Sequence, residues 1–197
     1  MTPERKQRLL SVINKRQADL TVLLENVFDP HNVSAVLRSC DAVGIQNVYV
    51  LNTKLPPHQR WGYRSSSGAY KWVTVHQFTN LKICIEEIRK KYQTILTSSL
   101  GHDSSGLYEI DFTKSMALVF GNENTGVSKE VQEVCDGNFM IPQVGMIRSL
   151  NISVACAVTI YEAYRQKELA GHYQKQNLSA NESSKILTSW GLLEDHD

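Results

Sequence analysis

The hydrophobic residues fall into short continuous runs that alternate with segments of helical spacing. Continuous apolar runs predict buried strands at 20–24, 47–51, 94–98 and 116–120. Apolar residues three or four positions apart predict helices at 32–44, 79–92 and 129–134. The first strand, helix and strand form a βαβ unit, for which a right-handed crossover is expected. This alternation predicts an α/β fold with a mostly parallel sheet.

Both ends of the chain carry further helical signals. The Thr-Pro-Glu sequence at 2–4 predicts a helix that runs to about residue 17, with Leu9, Leu10 and Ile13 on its apolar face. A long helix is predicted at 150–169, and a capping box at 179–182 opens a last short helix. We therefore expect a basic N-terminal helix, a central domain and a C-terminal helical extension, at 1–18, 19–165 and 166–197.

Composition limits the compartment and the partners. The chain is 42% hydrophobic and 21% charged, as is ordinary for a globular protein, and its net charge of +1 gives no argument for nucleic acid. Cysteines without a C-x-x-C pair, and the absence of a signal peptide, predict reduced thiols in a cytoplasmic protein. No apolar run is long enough to span a bilayer, so no membrane partner is expected.

Positive charge is concentrated on the first predicted helix. Arg5, Lys6, Arg8, Lys15 and Arg16 are opposed within it only by an acid at position 4. This pattern indicates either a solvated helix face or an arm that contacts RNA phosphates. Under the second interpretation, Arg8 and Arg16 are our candidate RNA contacts.

The long segment at 52–70 has no regular pattern, because prolines, glycines and serines interrupt it. It interleaves basic and aromatic residues, including Arg60, Trp61 and Arg64. Such a loop either contacts RNA through charge and stacking or folds its aromatics back on the core. Arg60 and Arg64 are the candidate RNA contacts here.

A further short apolar strand is predicted at 139–142. Glycine or polar residues mark the ends of three predicted strands, at 97–101, 121–126 and 142–151. The carboxyl ends of parallel strands meet at one edge of a sheet, where ligands bind, so we expect a small-molecule site there. Ser149 and Asn151 stand at the start of the last long helix. They are either ligand-binding groups or an ordinary helix cap.

Several common kinds of site are excluded. No G-x-G-x-x-G follows the first strand, and Val127 stands where a triphosphate-binding loop requires lysine. The histidines and cysteines lack the spacing of metal ligands, so no metal is expected, and no serine lies in a G-x-S-x-G turn. The backbone groups and small polar side chains that remain suit a cofactor that carries its own reactivity.

Three sequence blocks resemble those of the SpoU class of RNA ribose methyltransferases, in the SPOUT superfamily. They are Asn32-x-Ser34-Ala35-x-x-Arg38-x-x-x-Ala42-x-Gly44, Gly121-Asn122-Glu123-x-x-Gly126 and Ile141-Pro142-x-x-Gly145-x-x-x-Ser149-Leu150-Asn151-x-Ser153. The resemblance extends over about 20–165. The basic first helix, the DPHNVSA wording of the first block and the extra tail are similar to the TrmH group, which methylates the ribose of guanosine 18 in tRNA.

The resemblance implies a Rossmann-like sheet whose C-terminal part forms a deep trefoil knot, and it implies a homodimer. It also implies that the knot binds S-adenosylmethionine, with a lining at Thr97, Gly121, Ile141 and Leu150. The polar residues that it assigns to catalysis are Asn32, Arg38, Glu123, Ser149 and Asn151. His31, in the first block, joins the candidate RNA contacts.

The expected reaction is methylation of a tRNA ribose, with guanosine 18 as the expected target. A guanidinium is effectively always protonated, so we expect Arg38 to grip phosphate or ribose and to stabilise negative charge on oxygen. Glu123 would orient a neighbour or accept a proton. The alternatives are ribose methylation of ribosomal RNA or of another tRNA position, and a non-catalytic RNA-binding module.

Overall fold

The computed structural model describes residues 1–56, 68–99, 104–147 and 149–192. Within these ranges the strands are β1 (Leu20–Glu25), β2 (Asn47–Leu51), β3 (Thr74–Phe78), β4 (Thr94–Ser98), β5 (Ser105–Gly106), β6 (Met116–Phe120) and β7 (Gly137–Met140). The α-helices are α1 (Pro3–Ile13), α2 (Pro30–Ala42), α3 (Leu81–Arg89), α4 (Lys129–Gln132), α5 (Ile152–Leu169) and α6 (Ala180–Ser189). None of these described helices is long and apolar enough to cross a membrane.

The strands form one sheet in the order β3-β2-β1-β6-β4-β7-β5, and all of its described pairings are parallel. Every residue of the central strands β1 and β6 is buried, as expected when helices cover both faces of a sheet. The predicted α/β fold with a parallel sheet is therefore confirmed. Because the strands are parallel, the ends of β1, β4, β6 and β7 lie at the same edge.

Two apolar cores cover the two faces of the sheet. Alternate residues of β1 enter different cores, so that Val22 and Leu24 pack on one side and Leu23 on the other. The first core includes Leu37 of α2 and Ile160 of α5. The second core is formed with α3 and with the helix α4. The α2–α5 layer therefore borders the strand ends where the predicted site lies.

A third apolar cluster joins the two ends of the chain. Leu9 and Ile13 of α1 pack with Leu187 of α6 and with Trp190, which caps that helix. The predicted capping box of α6 is confirmed, since Ser179 and the acid at position 182 bond reciprocally. The N-terminal and C-terminal extensions are thus packed against each other.

The role predicted for Arg16 as an RNA contact is wrong. Its side chain is fully buried, with Nη2 2.5 Å from Oδ1 of Asp41 and 3.0 Å from the carbonyl oxygen of Trp72. Its Cζ also lies 5.3 Å from the centre of the Trp190 ring. Because α1 ends at Ile13, short of the predicted end, Arg16 lies beyond the helix and turns into the protein.

The remaining differences concern helix faces and helix ends. Leu10, predicted to be buried, is 40% exposed on the outer side of α1. The helix α3 begins later than predicted because Asn80 caps it, with its side-chain oxygen accepting the N–H of Ile83 at 3.1 Å. In the same way Asn151, and not Ser149, caps α5. In each case an asparagine outside the helix accepts a hydrogen bond from the first turn.

Arg16→Ala would leave the carboxylate of Asp41 without its cation and remove the bond to Trp72. We expect the free energy of unfolding to fall by about 2 kcal/mol, because the Arg16 side chain is buried while Asp41 stays partly solvated. The matched control is Arg8→Ala, which removes an exposed charge of α1 and should cost less than about 0.5 kcal/mol. Urea denaturation followed by circular dichroism measures both values, and equal effects would contradict the structural role of Arg16.

Candidate active site

A pocket of about 420 Å³ opens at the carboxyl ends of β4, β6 and β7. Its buried lining is aromatic, with Phe120 and Phe139 in an edge-to-face pair whose ring centres are 6.2 Å apart. Ile141 and Leu150 add further apolar lining. The volume and the mixture of apolar and polar lining are typical of a site for a cofactor-sized ligand.

The loop after β6 is a tightly closed turn that lines this pocket. Asn122 and Gly126 exchange backbone hydrogen bonds of 3.1 and 2.8 Å, and Gly126 has a positive φ of 68°. The side-chain oxygen of Asn122 also accepts the N–H groups of Asn124 and Thr125. A Cβ atom at Gly121 would lie 2.2 Å from the backbone of Gly126, so the turn closes only with glycine there.

Residues at the end of β1 anchor the same loop. Nδ2 of Asn122 donates to the carbonyl oxygen of Asn26 at 2.8 Å, and the N–H of Ser128 donates to Oε2 of Glu25 at 2.9 Å. Asn26 has a φ of 49°, which is uncommon outside glycine, and its side-chain oxygen accepts the N–H of Lys54. The loops that follow β1 and β6 are therefore held together by hydrogen bonds.

Three predicted catalytic residues, Asn32, Glu123 and Asn151, form a hydrogen-bonded group that we call the amide–carboxylate cluster. Nδ2 of Asn32 donates to Oε1 of Glu123 at 2.9 Å, and Nδ2 of Asn151 donates to Oδ1 of Asn32 at 3.1 Å. The other oxygen of Glu123 accepts the N–H of Phe28 at 3.3 Å. Each member comes from a different sequence block, so this cluster is where the three blocks meet.

The cluster borders the pocket through Glu123. The pocket is lined by Gly121, Ile141 and Leu150, which the resemblance assigns to the cofactor, and by Ser149, which it assigns to catalysis. Among the lining residues that the structure describes, Glu123 alone carries a charge. A positively charged ligand group in the pocket would be stabilised by this carboxylate.

Thr97 is not among the described residues that line the pocket. This residue is buried within β4, and its hydroxyl lies 3.5 Å from the carbonyl oxygen of Gly137 in the adjacent strand. Its side chain therefore faces the interior, and the neighbours that line the pocket at this strand end are Ser98 and Ser99. The cofactor contact of Thr97 stays a prediction.

Arg38 lies outside the cluster. It is exposed on α2, and no hydrogen bond or ion pair in the described part of the chain joins it to the cluster. Asn32 and Arg38 are six positions apart on α2, and at about 100° of rotation per residue their side chains project about 120° apart. Within a single chain, therefore, the arginine and the cluster are separate parts of the predicted catalytic set.

The candidate RNA contacts other than Arg16 are divided between two regions. Arg8 is exposed on α1. His31 is exposed in the first turn of α2, where its N–H donates to the carboxylate of Asp29 at 2.8 Å. Arg60 and Arg64 lie outside the residues that the structure describes.

Sequence reasoning missed the anchoring residues Glu25 and Asn26, and it missed the position of Phe28 beside Glu123. All three lie in or directly after β1, in a segment to which the sequence had led us to assign no functional residue. The available signal was their place at the end of a buried strand, because every parallel strand delivers its following loop to the same edge.

The chain matches the model of the SpoU rRNA methylase family over residues 19–161. It belongs to this family. The tRNA (guanosine(18)-2'-O)-methyltransferase of Thermus thermophilus is 39% identical over 191 residues, which are 96% of each protein. The resemblance inferred from the three blocks is therefore confirmed, and so is the expectation that the chain is a methyltransferase.

Two solved structures extend the comparison. The TrmH/SpoU tRNA modifying enzyme of A. aeolicus is 38% identical and has a TM-score of 0.88, covering 95% of this chain and 94% of that one. The SpoU methyltransferase AviRb of Streptomyces viridochromogenes, in complex with the cofactor AdoMet, is 26% identical with a TM-score of 0.70. That match covers 81% of this chain and 62% of the other.

Gly121→Ala should prevent the loop after β6 from closing, because the new methyl group would lie 2.2 Å from backbone atoms of Gly126. We expect at least about a tenfold loss of affinity for S-adenosylmethionine in isothermal titration calorimetry, equivalent to about 1.4 kcal/mol. The matched control is Gly137→Ala, whose methyl group would meet only a leucine side chain at 3.5 Å. Unchanged affinity in the first variant would show that loop closure does not form the site.

Proposed function

We propose that the chain transfers a methyl group from S-adenosylmethionine to the ribose 2′-oxygen of guanosine 18 in tRNA. The observation that carries this proposal is the amide–carboxylate cluster at the border of a cofactor-sized pocket. The relatives support the choice of tRNA, because the match to a tRNA (guanosine(18)-2'-O)-methyltransferase includes the N-terminal and C-terminal extensions.

The pocket fits S-adenosylmethionine in size and in chemistry. The aromatic pair of Phe120 and Phe139 offers an apolar surface for an adenine ring. Backbone groups of the loop at 121–126, with Ser98, Ser99 and Ser149 nearby, offer polar partners for the remainder. The carboxylate of Glu123 favours a sulfonium cation electrostatically. When bound, this cofactor supplies the electrophilic methyl group, so the protein needs no nucleophile of its own.

The amide–carboxylate cluster would orient the attacking sugar. Glu123 accepts hydrogen bonds on both oxygens and is exposed, so it retains lone pairs for a ribose hydroxyl. Asn32 and Asn151 hold this carboxylate in place through a continuous chain of hydrogen bonds. We propose that Glu123 orients the 2′-hydroxyl or accepts its proton, while Ser149 positions the nucleotide or the cofactor.

We also propose that the C-terminal part of the domain forms the deep trefoil knot of the SPOUT superfamily. The path of the chain supports this, because β6 is inserted between β1 and β4 and the segment after β7 returns along the pocket. From there the chain enters α5, which packs against α2 in the first apolar core on one face of the sheet. The similarity to solved SpoU methyltransferases supports the same inference.

We infer that the working enzyme is a homodimer. Val144, Met146 and Ile147, in the segment before α5, are largely exposed apolar residues. Exposed apolar residues continue along α5 itself, including Val154 and Tyr161. A surface of this kind on a folded domain favours association with another protein surface. A second copy packed there would cover α5 beside α2, and Arg38 would then act in the assembled dimer.

The proposed division of the chain agrees with this function. The domain at 19–165 would carry the cofactor site, and the extensions at 1–18 and 166–197 would act together, since α1 and α6 share an apolar cluster. The exposed Arg8 and His31 remain proposed tRNA contacts. A cytoplasmic location remains a prediction from the sequence.

An unmodified tRNA transcript should acquire one methyl group, at the 2′-oxygen of guanosine 18, when incubated with the protein and labelled S-adenosylmethionine. Nucleotide mapping by mass spectrometry identifies the site. A transcript with 2′-deoxyguanosine at position 18 is the matched control, because it lacks the accepting hydroxyl. Methylation at another nucleotide, or only of ribosomal RNA, would overturn the assignment, and RNA binding without transfer would favour a non-catalytic module.

Arg38→Lys should reduce kcat at saturating tRNA by at least about tenfold, because a compact ammonium does not replace a planar guanidinium that binds two oxygens at once. The affinity for S-adenosylmethionine should stay unchanged, since Arg38 does not line the pocket. Steady-state methylation kinetics measure kcat, and calorimetry measures the affinity for S-adenosylmethionine. A kcat within about threefold of the wild-type value would count against an essential role for the guanidinium.

A further inference from the structure

Phe28 is an exposed aromatic residue beside the amide–carboxylate cluster. It lies in the short segment between β1 and α2, and it is 70% exposed. Single exposed apolar side chains are common and need no explanation by themselves. What distinguishes Phe28 is that its backbone N–H donates to Oε2 of Glu123 at 3.3 Å. The backbone that carries the ring is therefore hydrogen-bonded to the group that we assign to ribose binding.

The backbone that carries this ring is fixed on both sides. Before it, the carbonyl oxygen of Asn26 accepts the 2.8 Å hydrogen bond from Asn122. After it, Asp29 caps α2, with its carboxylate accepting the N–H of His31 at 2.8 Å. An aromatic ring on such an anchored backbone would need little ordering when a ligand packs on it, which lowers the entropic cost of binding.

The chemistry of the surroundings favours a nucleobase as the occupant. Phe28 is flanked by polar residues that fix its segment, including Asn26, Asp29 and Glu123. An aromatic face among hydrogen-bonding groups matches a base, which has a stacking face and polar edges. The exposed apolar surface assigned to the second copy is instead formed by α5 and the segment before it.

We propose that Phe28 is a stacking platform for the unpaired base of the nucleotide whose ribose is methylated. The inference rests on the proposed function, because a ribose bound at Glu123 brings its own base to the same carboxylate. The contact would hold the base outside the RNA stack while the sugar meets the cofactor. Phe28 is thus a positioning residue for the substrate, and it is not expected to contact the cofactor.

Phe28→Ala and Phe28→Leu should each raise KM for tRNA about tenfold, which is within the range measured for loss of one base–aromatic stack. Phe28→Trp should restore a KM close to that of the unmodified protein, since only the aromatic face is required. The affinity for S-adenosylmethionine should be the same in all three variants. Leucine retains apolar bulk, so normal KM in Phe28→Leu would overturn stacking in favour of simple apolar packing.

The matched control is Ile83→Ala on α3, which removes another exposed apolar side chain, 57% exposed, that does not line the pocket. It should leave KM and kcat unchanged. An equal rise of KM in this variant would show that the effect at Phe28 is not local and would overturn the proposal.

Photocrosslinking identifies the occupant directly. Phe28→p-benzoylphenylalanine should cross-link to guanosine 18 or an adjacent nucleotide, whereas Ile83→p-benzoylphenylalanine should not. A cross-link to a second copy of the chain, or none to RNA, would overturn the stacking proposal. The two proposals fail differently. If the unmodified protein does not methylate tRNA, the proposed function is lost, whereas normal KM in Phe28→Ala beside an active unmodified protein removes only the role of Phe28.

Discussion

The candidate site depends on one carboxylate, that of Glu123, which holds together three loops that are far apart in the sequence. One of its oxygens accepts the side-chain amide of Asn32, and the other accepts the backbone N–H of Phe28. Asn151, at the start of α5, joins through Asn32. Hydrogen bonds to an ionised acceptor are stronger than those between neutral groups, so one residue can hold the ends of β1 and β6 and the start of α5 in a single arrangement.

Buried contacts beneath this cluster make the arrangement durable. Glu25 is almost fully buried, and its carboxylate accepts the N–H of Ser128 at the end of the loop after β6. Asn122 donates to the backbone of Asn26, in a turn that closes only because position 121 is glycine. A site that must align a hydroxyl, a methyl group and a sulfur atom gains from such preorganisation, because small displacements are costly in rate.

The sequence predicted the central strands of the sheet well because β1 and β6 are buried on both faces. Continuous apolar runs such as that of β6 have few other interpretations once helical segments flank them. The errors arose where a polar side chain had two plausible environments. Arginine is usually found at the protein surface, yet Arg16 is buried and bonded to Asp41 and Trp72, which lie in distant parts of the chain. Thr97 was assigned to the cofactor lining only because it lies at the end of a strand, and its side chain is buried within β4.

The packing of α1 on α6 has a consequence for how the chain folds. The helix α1 buries Leu9 and Ile13 against residues of α6, which is far from it in the sequence, so this apolar cluster is complete only after the two distant segments meet. Arg16 likewise contacts residues that are distant in the sequence, through its hydrogen bond to Trp72 and its position over the ring of Trp190. Contacts between such distant parts of a chain form slowly, because the intervening loop must close first. The packing of α1 on α6 is thus expected to be among the last native contacts to form during folding.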